Sequence, residues 1–242
     1  MIYNSFARVY SELMDDSLYA KWAEYVKKQV KSNESLLDVA CGTGDLTILL
    51  ADSFQVTGTD LSEEMLKIAE EKAKTAGKSI PFIQSNMMDL YDFDKFDVIT
   101  CFDDSICYLT DEDELAIAFK QAYDHLNDGG KYLFDAHSLY QMDEVFPGYM
   151  FNHRTEDSAF MWNSFEGEYP HSIEHELTFF NWDEKIQGYS VNTELHKERT
   201  YPTATFKMIL EDIGFKNIQV TADFGESEIK DDSNRWFFSA EK

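Results

Sequence analysis

Two groups of residues in this 242-residue chain have the types and spacing to do chemistry. The first is the run Asp38-Val39-Ala40-Cys41-Gly42-Thr43-Gly44, set between apolar stretches at Leu36-Leu37 and Leu46–Leu50, with a further acid at Asp60. Two glycines allow a sharp turn with no side chain over it, and a helix opening beside such a turn offers backbone N–H groups to a ligand. The second group is Asp103-Asp104-Ser105 and His137, just past two apolar runs, together with Tyr10 from the N-terminal segment. A carboxylate, an imidazole or a phenol in such positions can orient a nucleophile and take its proton. Two plainer readings compete: one of the paired aspartates is a turn residue, and His137 braces its loop.

The elements that must position these residues follow from periodicity. Trp22, Val26 and Val30 share a helical stripe over 18–31. Short apolar runs at 36–40, 54–59, 80–84, 96–101 and 131–136 read as buried strands. Between them lie a helix from Asp45, a helix capped by Ser62 and ended near Gly77, and a helix opened by a capping box from Thr110 to Asp113. Asn127-Asp-Gly-Gly reads as a turn. Strands alternating with helices predict a parallel, doubly wound α/β sheet. Residues 149–201 are different: aromatic and alternating, as in IEHELTFF and YSVNTEL, they predict an antiparallel insertion within one domain spanning 1–242. A helix stopped by Gly214 and strands near 215–221 and 234–240 close the chain.

In an open α/β sheet a ligand lies at the carboxyl ends of the strands, where strand order reverses. A dinucleotide fingerprint fails from Gly42, because Thr47 stands at its third glycine, and no Gly-Lys-Ser/Thr follows to make a P-loop. What remains, D-x-A-C-G-T-G followed by Asp60, resembles the first motifs of the class I S-adenosylmethionine-dependent methyltransferases. SNMMDL, FDVITCFDDSICYL and LNDGGKYLFDAHS continue the resemblance in order. The chain looks most like small bacterial members with an aromatic N-terminal helix and a sheet insertion after the fifth strand, and is similar to amino-sugar N-methyltransferases. The resemblance covers residues 1–140 by motif and the last forty by architecture. It implies a Rossmann-like seven-stranded sheet and S-adenosylmethionine as cofactor.

Residue by residue, the resemblance implies that Asp60 accepts the ribose hydroxyls, with Leu61 beside it, and that Asp38 anchors the turn. Gly42 and Gly44 would pack against the ligand, and the Ala40 and Cys101 carbonyls would receive its ammonium. Asn86 stands where many relatives have Asp; its amide oxygen can still accept from the adenine amino group. Met87 would add a backbone N–H and an apolar wall, and Arg8 would meet the methionine carboxylate. Plainer roles remain open for several: a bare turn at the glycines, a helix cap at Asp60, core filling by Met87 and Met88, a solvated Arg8. Ala40, where the family often has glycine, is small enough to be tolerated there.

On the acceptor side the candidates are Tyr10, Asp104 and His137, with Tyr19 and Trp22 as lid or helix core. The aromatic insertion is placed to roof a small acceptor, or it could pair two subunits. His171 and His175, if in one strand, lie ~13 Å apart, so no metal is expected. A net charge of −25 argues against nucleic acid and anionic membranes as partners. No run approaches a membrane span, the N-terminus lacks a signal peptide, and three cysteines without metal-like pairing suit a cytoplasmic protein. The expectation is a methyltransferase acting on a small molecule. Its rivals are a protein or RNA methyltransferase, although no Asn/Asp-Pro-Pro-Tyr run is present, and a cofactor-binding regulator without turnover.

Overall fold

The structure, a computed structural model, describes residues 16–90, 93–155 and 158–242. Arg8 and Tyr10 lie outside the described residues. Helix α1 (Asp16–Gln29) leads into β1 (Ser35–Val39), α2 (Asp45–Leu50), β2 (Gln55–Asp60), α3 (Glu63–Thr75) and β3 (Phe82–Gln84). Then come β4 (Phe96–Cys101), α4 (Glu112–Asp124) and β5 (Leu126–His137). Four strands follow, β6 (Met150–Arg154), β7 (Ser158–Glu166), β8 (Ser172–Asp183) and β9 (Gly188–Arg199), before α5 (Thr203–Ile213), β10 (Lys216–Thr221) and β11 (Arg235–Glu241).

The larger sheet runs β10-β11-β5-β4-β1-β2-β3, parallel except where β11 pairs antiparallel with β5 and β10. Strand order reverses between β1 and β4, which sets a crevice at the carboxyl ends of these two strands. Alternate residues feed opposite faces. Leu36, Val98 and Leu133 pack with Trp22, Tyr25 and Val26 of α1, whereas Leu37, Ile99 and Phe134 pack with Phe119 of α4 and Phe206 of α5. A sheet buried on both faces is why its strands read as continuous apolar runs. No helix among the described residues is long and apolar enough to cross a membrane.

Strands β6 to β9 form a separate antiparallel meander. Phe160, Leu177 and Phe179 pack together on one face, while Met161, Phe165 and Leu195 stand exposed on the other. This is the period-2 pattern of residues 149–201 made physical.

Several boundaries differ from the periodicity. The cap of α4 is Asp111, whose Oδ1 accepts from Glu114 N at 2.8 Å, not Thr110. Asn127–Gly130 does not separate helix from strand but bulges within β5, since Phe96 pairs with Leu126 and Val98 with Lys131. Gly129, at φ 79°, lets the excursion close. His171 precedes β8 in a left-handed conformation and pairs with Asp143, so it shares no strand face with His175.

Gly44 turns the chain into α2 at φ 78°, and a Cβ there would lie 2.8 Å from the Ala69 Cβ of α3. The Gly44→Ala variant should therefore lose about 2–4 kcal/mol, combining left-handed strain with overpacking. Urea unfolding measures this, and an unchanged midpoint would mean that α3 yields at no cost.

Candidate functional site

At the end of β1 the chain carries a carboxylate into an apolar layer. Asp38 is buried, and its two oxygens accept from Thr47 of α2 at 2.6 Å and from Thr100 of β4 at 2.7 Å. Burial pushes its carboxyl up to about 6, against the two hydroxyls that favour the ionised form. Asp38 thus ties together the two strands flanking the crevice and the helix that opens over it. Ala40 follows at φ 56° and Gly42 at φ 54°. The small side chain at Ala40 is accommodated, but in a conformation that glycine adopts without strain.

Asp60 closes the same turn from β2. One oxygen accepts Gly42 N at 2.9 Å and the other Ser62 N at 2.8 Å. Each carboxylate oxygen has a second lone pair to offer. Beyond its chain neighbours, no atom of the described residues lies within 4 Å of where a Gly42 Cβ would be, so these residues leave an open cradle at the turn. Asn86 Oδ1 accepts from Met88 N at 2.9 Å, which fixes its amide in a local turn.

These residues border a cavity of about 1240 Å³. Of the residues predicted to hold the cofactor, Asp38, Ala40, Gly42, Asp60 and Leu61 line it, as do Asn86 and Met87. Gly44 and Cys101 do not: Gly44 faces Ala69, and Cys101 is buried in the core behind. Asp104 and His137 line the cavity further along, and Tyr19 and Trp22 of α1 border it as well.

Beyond the turn lies a buried charge cluster. Asp135, with no solvent exposure, accepts from Trp22 Nε1 at 2.7 Å, Asp104 N at 2.8 Å and Arg235 at 3.0 Å. Arg235 also donates to Asp104 and lies 3.8 Å from Asp103. Asp103 and Asp104 are both left-handed, which folds the loop back over β5. Burial alone would raise the Asp104 carboxyl, but His137 and Arg235 outweigh it and hold it well below the usual range. For Asp103 burial wins, reinforced by Asp104, and its carboxyl is raised well above.

His137 Nε2 is 3.3 Å from Asp104 Oδ1 and 3.8 Å from Glu198 Oε2. On the inner face of the second sheet, Trp162 Nε1 donates to His175 Nδ1 at 3.1 Å. An indole N–H can only donate, so the His175 proton sits on Nε2, facing Glu198 Oε2 at 4.0 Å. Burial pushes the His175 imidazole down to about 4, leaving it neutral at pH 7. Further along, Tyr108 Oη meets His196 Nδ1 at 2.8 Å, and His196 Nε2 lies 3.3 Å from buried Glu194.

Asp104, His137 and Glu198 each bring one donor atom within 4.8 Å of the others, a spacing that could hold a cation. This trio, not His171 and His175, is where metal-type donors converge among the described residues. Sequence reasoning missed Asp135, Arg235 and Glu198. A signal existed for Glu198: Glu194, His196 and Glu198 alternate along β9 on one face, and all three are buried. Arg235 announces itself only through its antiparallel pairing with His137.

Residues 36–130 match a family described as a methyltransferase domain. Over 252 aligned positions the chain is 40% identical to a protein of Geobacillus sp. (strain WCH70) named as a candidate methyltransferase, covering all of both chains. The fold superposes with a TM-score of 0.85 and 28% identity on an S-adenosylmethionine-dependent methyltransferase from Clostridium acetobutylicum, covering 99% of this chain and 98% of that one. It also matches a sugar N-methyltransferase from a Streptoalloteichus species, at TM-score 0.78 and 24% identity, over 100% of this chain and 93% of that one.

Asp38 sets a pH dependence. Its folded-state carboxyl is raised from 3.8 to about 6, so its contribution to stability is full below pH 3.8 and lost as pH rises through 6. The loss amounts to about 3 kcal/mol. Denaturant melts at pH 4.5 and 7.5 should therefore show Asp38→Asn losing less stability with rising pH than the parent chain. Equal losses would mean that Asp38 stays ionised throughout.

Proposed function

The chain belongs to the S-adenosylmethionine-dependent methyltransferases, and we propose that it moves the cofactor's methyl group onto a small molecule enclosed beneath the β6–β9 sheet. One observation carries this reading: a single cavity joins the glycine turn and Asp60 to the aromatic face of that sheet. Its lining includes Phe146, Trp162, Leu177 and Phe179, a surface suited to a compact, partly apolar acceptor.

Asp60 would hold the ribose diol, the Gly42 cradle would admit the ligand's chain, and Asn86, Met87 and Leu61 would border the adenine. When bound, the cofactor supplies an electrophilic methyl on a sulfonium. The protein's part is to align the nucleophile and exclude water, which can be worth ~7–11 kcal/mol. Asp104, kept ionised by Arg235, would hold His137 toward the acceptor.

A net charge of −25 favours a small acceptor over a nucleic acid. A structural neighbour named as a sugar N-methyltransferase supports the same reading. Exposed Met150, Met161, Phe165 and Leu195 on the outer face of the β6–β9 sheet are the surface through which two copies would pair.

Incubation with methyl-labelled cofactor and a cell extract separated by size should put label into the small-molecule fraction. Label in protein or RNA would overturn the proposal, and no transfer at all would favour a non-catalytic binder. Asp60→Ala should weaken cofactor binding by ~1–3 kcal/mol through lost charge-assisted contacts. Calorimetry checks this, and unchanged affinity in a folded variant would remove Asp60 from the site.

A further inference from the structure

We propose that the acceptor is an amine and that Glu198 receives the proton its nitrogen must lose. The inference rests on the small-acceptor reading above and deepens it.

Glu198 is 5% exposed, and its Oε2 has no hydrogen-bond partner among the described residues. Buried carboxylate oxygens without donors are rare and costly. Two described ring nitrogens face it, His137 Nε2 at 3.8 Å and His175 Nε2 at 4.0 Å, both beyond hydrogen-bond reach, so the oxygen sits in a gap between two imidazoles. That gap opens into the cavity, where Phe146 and Trp162 stand close by. Both rings flank His175, with centroids 4.7 and 5.1 Å away. A cavity wall that carries both a carboxylate and aromatic rings suits an organic cation.

Charge accounting points the same way. Arg235 answers Asp103, Asp104 and Asp135, and His137 lies nearer Asp104 at 3.3 Å than Glu198 at 3.8 Å, so Glu198 is the acid of the cluster least served by a cation. An alcohol would fill the missing hydrogen bond but leave this charge unmatched. A metal fits less well, because Arg235 occupies Asp104 and the His137 Nδ1 has no acceptor among the described residues to fix the tautomer that a ligating Nε2 requires.

In the step itself, an ammonium N–H bond breaks and its proton goes to Glu198 Oε2, leaving the electron pair on nitrogen. That pair forms the N–C bond to the methyl carbon while the C–S pair departs on sulfur, giving the methylated ammonium and S-adenosylhomocysteine. Burial and the negative charge of Asp104 raise the Glu198 carboxyl well above its usual range. That is the property a proton acceptor for an ammonium needs.

The test uses EDTA-treated full-length protein saturated with S-adenosylhomocysteine and two probes of similar shape, benzylamine and benzyl alcohol, titrated by calorimetry at pH 7. Benzylamine should bind at least tenfold tighter, and Glu198→Gln should erase that preference while leaving benzyl alcohol unchanged. If Glu198→Gln does not fold, Glu198→Asp, which withdraws the carboxylate by one methylene, should reduce the preference severalfold. Equal affinities in the parent chain would overturn the amine inference and leave the enclosed chamber standing. A preference that survives the substitution would overturn the role of Glu198. Failure of both probes to bind at 10 mM would overturn the small-acceptor reading, and this inference with it.

Discussion

The contact between Asp135 and Arg235 holds four parts of the molecule in one arrangement. Asp135 projects from β5, Arg235 from β11, Trp22 from α1, and the Asp104 amide from the loop after β4, and all meet at one buried carboxylate. Removing either partner of such a pair strands a charge in a low-dielectric interior, at a cost of about 3–5 kcal/mol. Its net contribution to stability is much smaller, because both charges had to leave water. What the pair secures is position. It fixes Asp104 over the end of β5, beside His137, and brings α1 against the mouth of the cavity.

That arrangement carries strain where the chemistry would occur. Ala40, Asp103 and Asp104 all adopt left-handed conformations that cost about 1–2 kcal/mol each for a residue with a Cβ. At Asp104 the strain is offset locally, since its amide donates to Asp135 and its carboxylate accepts from Arg235. At Ala40 no comparable side-chain bond exists, and the neighbouring Asp38 and Asp60 instead brace the turn from both sides. Strain of this kind persists only where surrounding contacts over-determine the backbone.

The sequence disclosed what is local and concealed what is brought together across the fold. Asp38, Gly42 and Asp60 were legible as a set because turn, strand and helix are encoded within one short stretch, and the structure brings all three to the wall of one cavity. The alternation of residues 149–201 disclosed a second sheet for the same reason. The exact cap of α4 was not legible, because Thr110 and Asp111 are equally good caps and only packing chooses between them. Nothing in the sequence flanking Asp135 or Arg235 sets either residue apart. Their meaning depends on a pairing between residues 100 positions apart, which no local pattern encodes.

The inner face of the second sheet changes character along its length, and this orients anything held beneath it. Register fixes the order of rows: Ile173 faces Glu198, then His175 faces His196, then Leu177 faces Glu194, then Phe179 faces Asn192. On β7 the matching partners run from Ser164 through Trp162 to Phe160. The polar rows lie beside His137 and Asp104, while the rings of Phe160 and Phe179 stack at the far end, 5.0 Å between centroids. An acceptor with one polar, proton-bearing group and an apolar body can satisfy both ends in one orientation only. Reversing it would turn the apolar body toward His137 and Asp104 and leave Asn192 as the polar side chain of the row that holds Phe160 and Phe179. For such an acceptor the alternation of the second sheet would turn its reacting atom toward the main sheet, and the buried pair at Asp135 holds Asp104 and the end of β5 in place opposite.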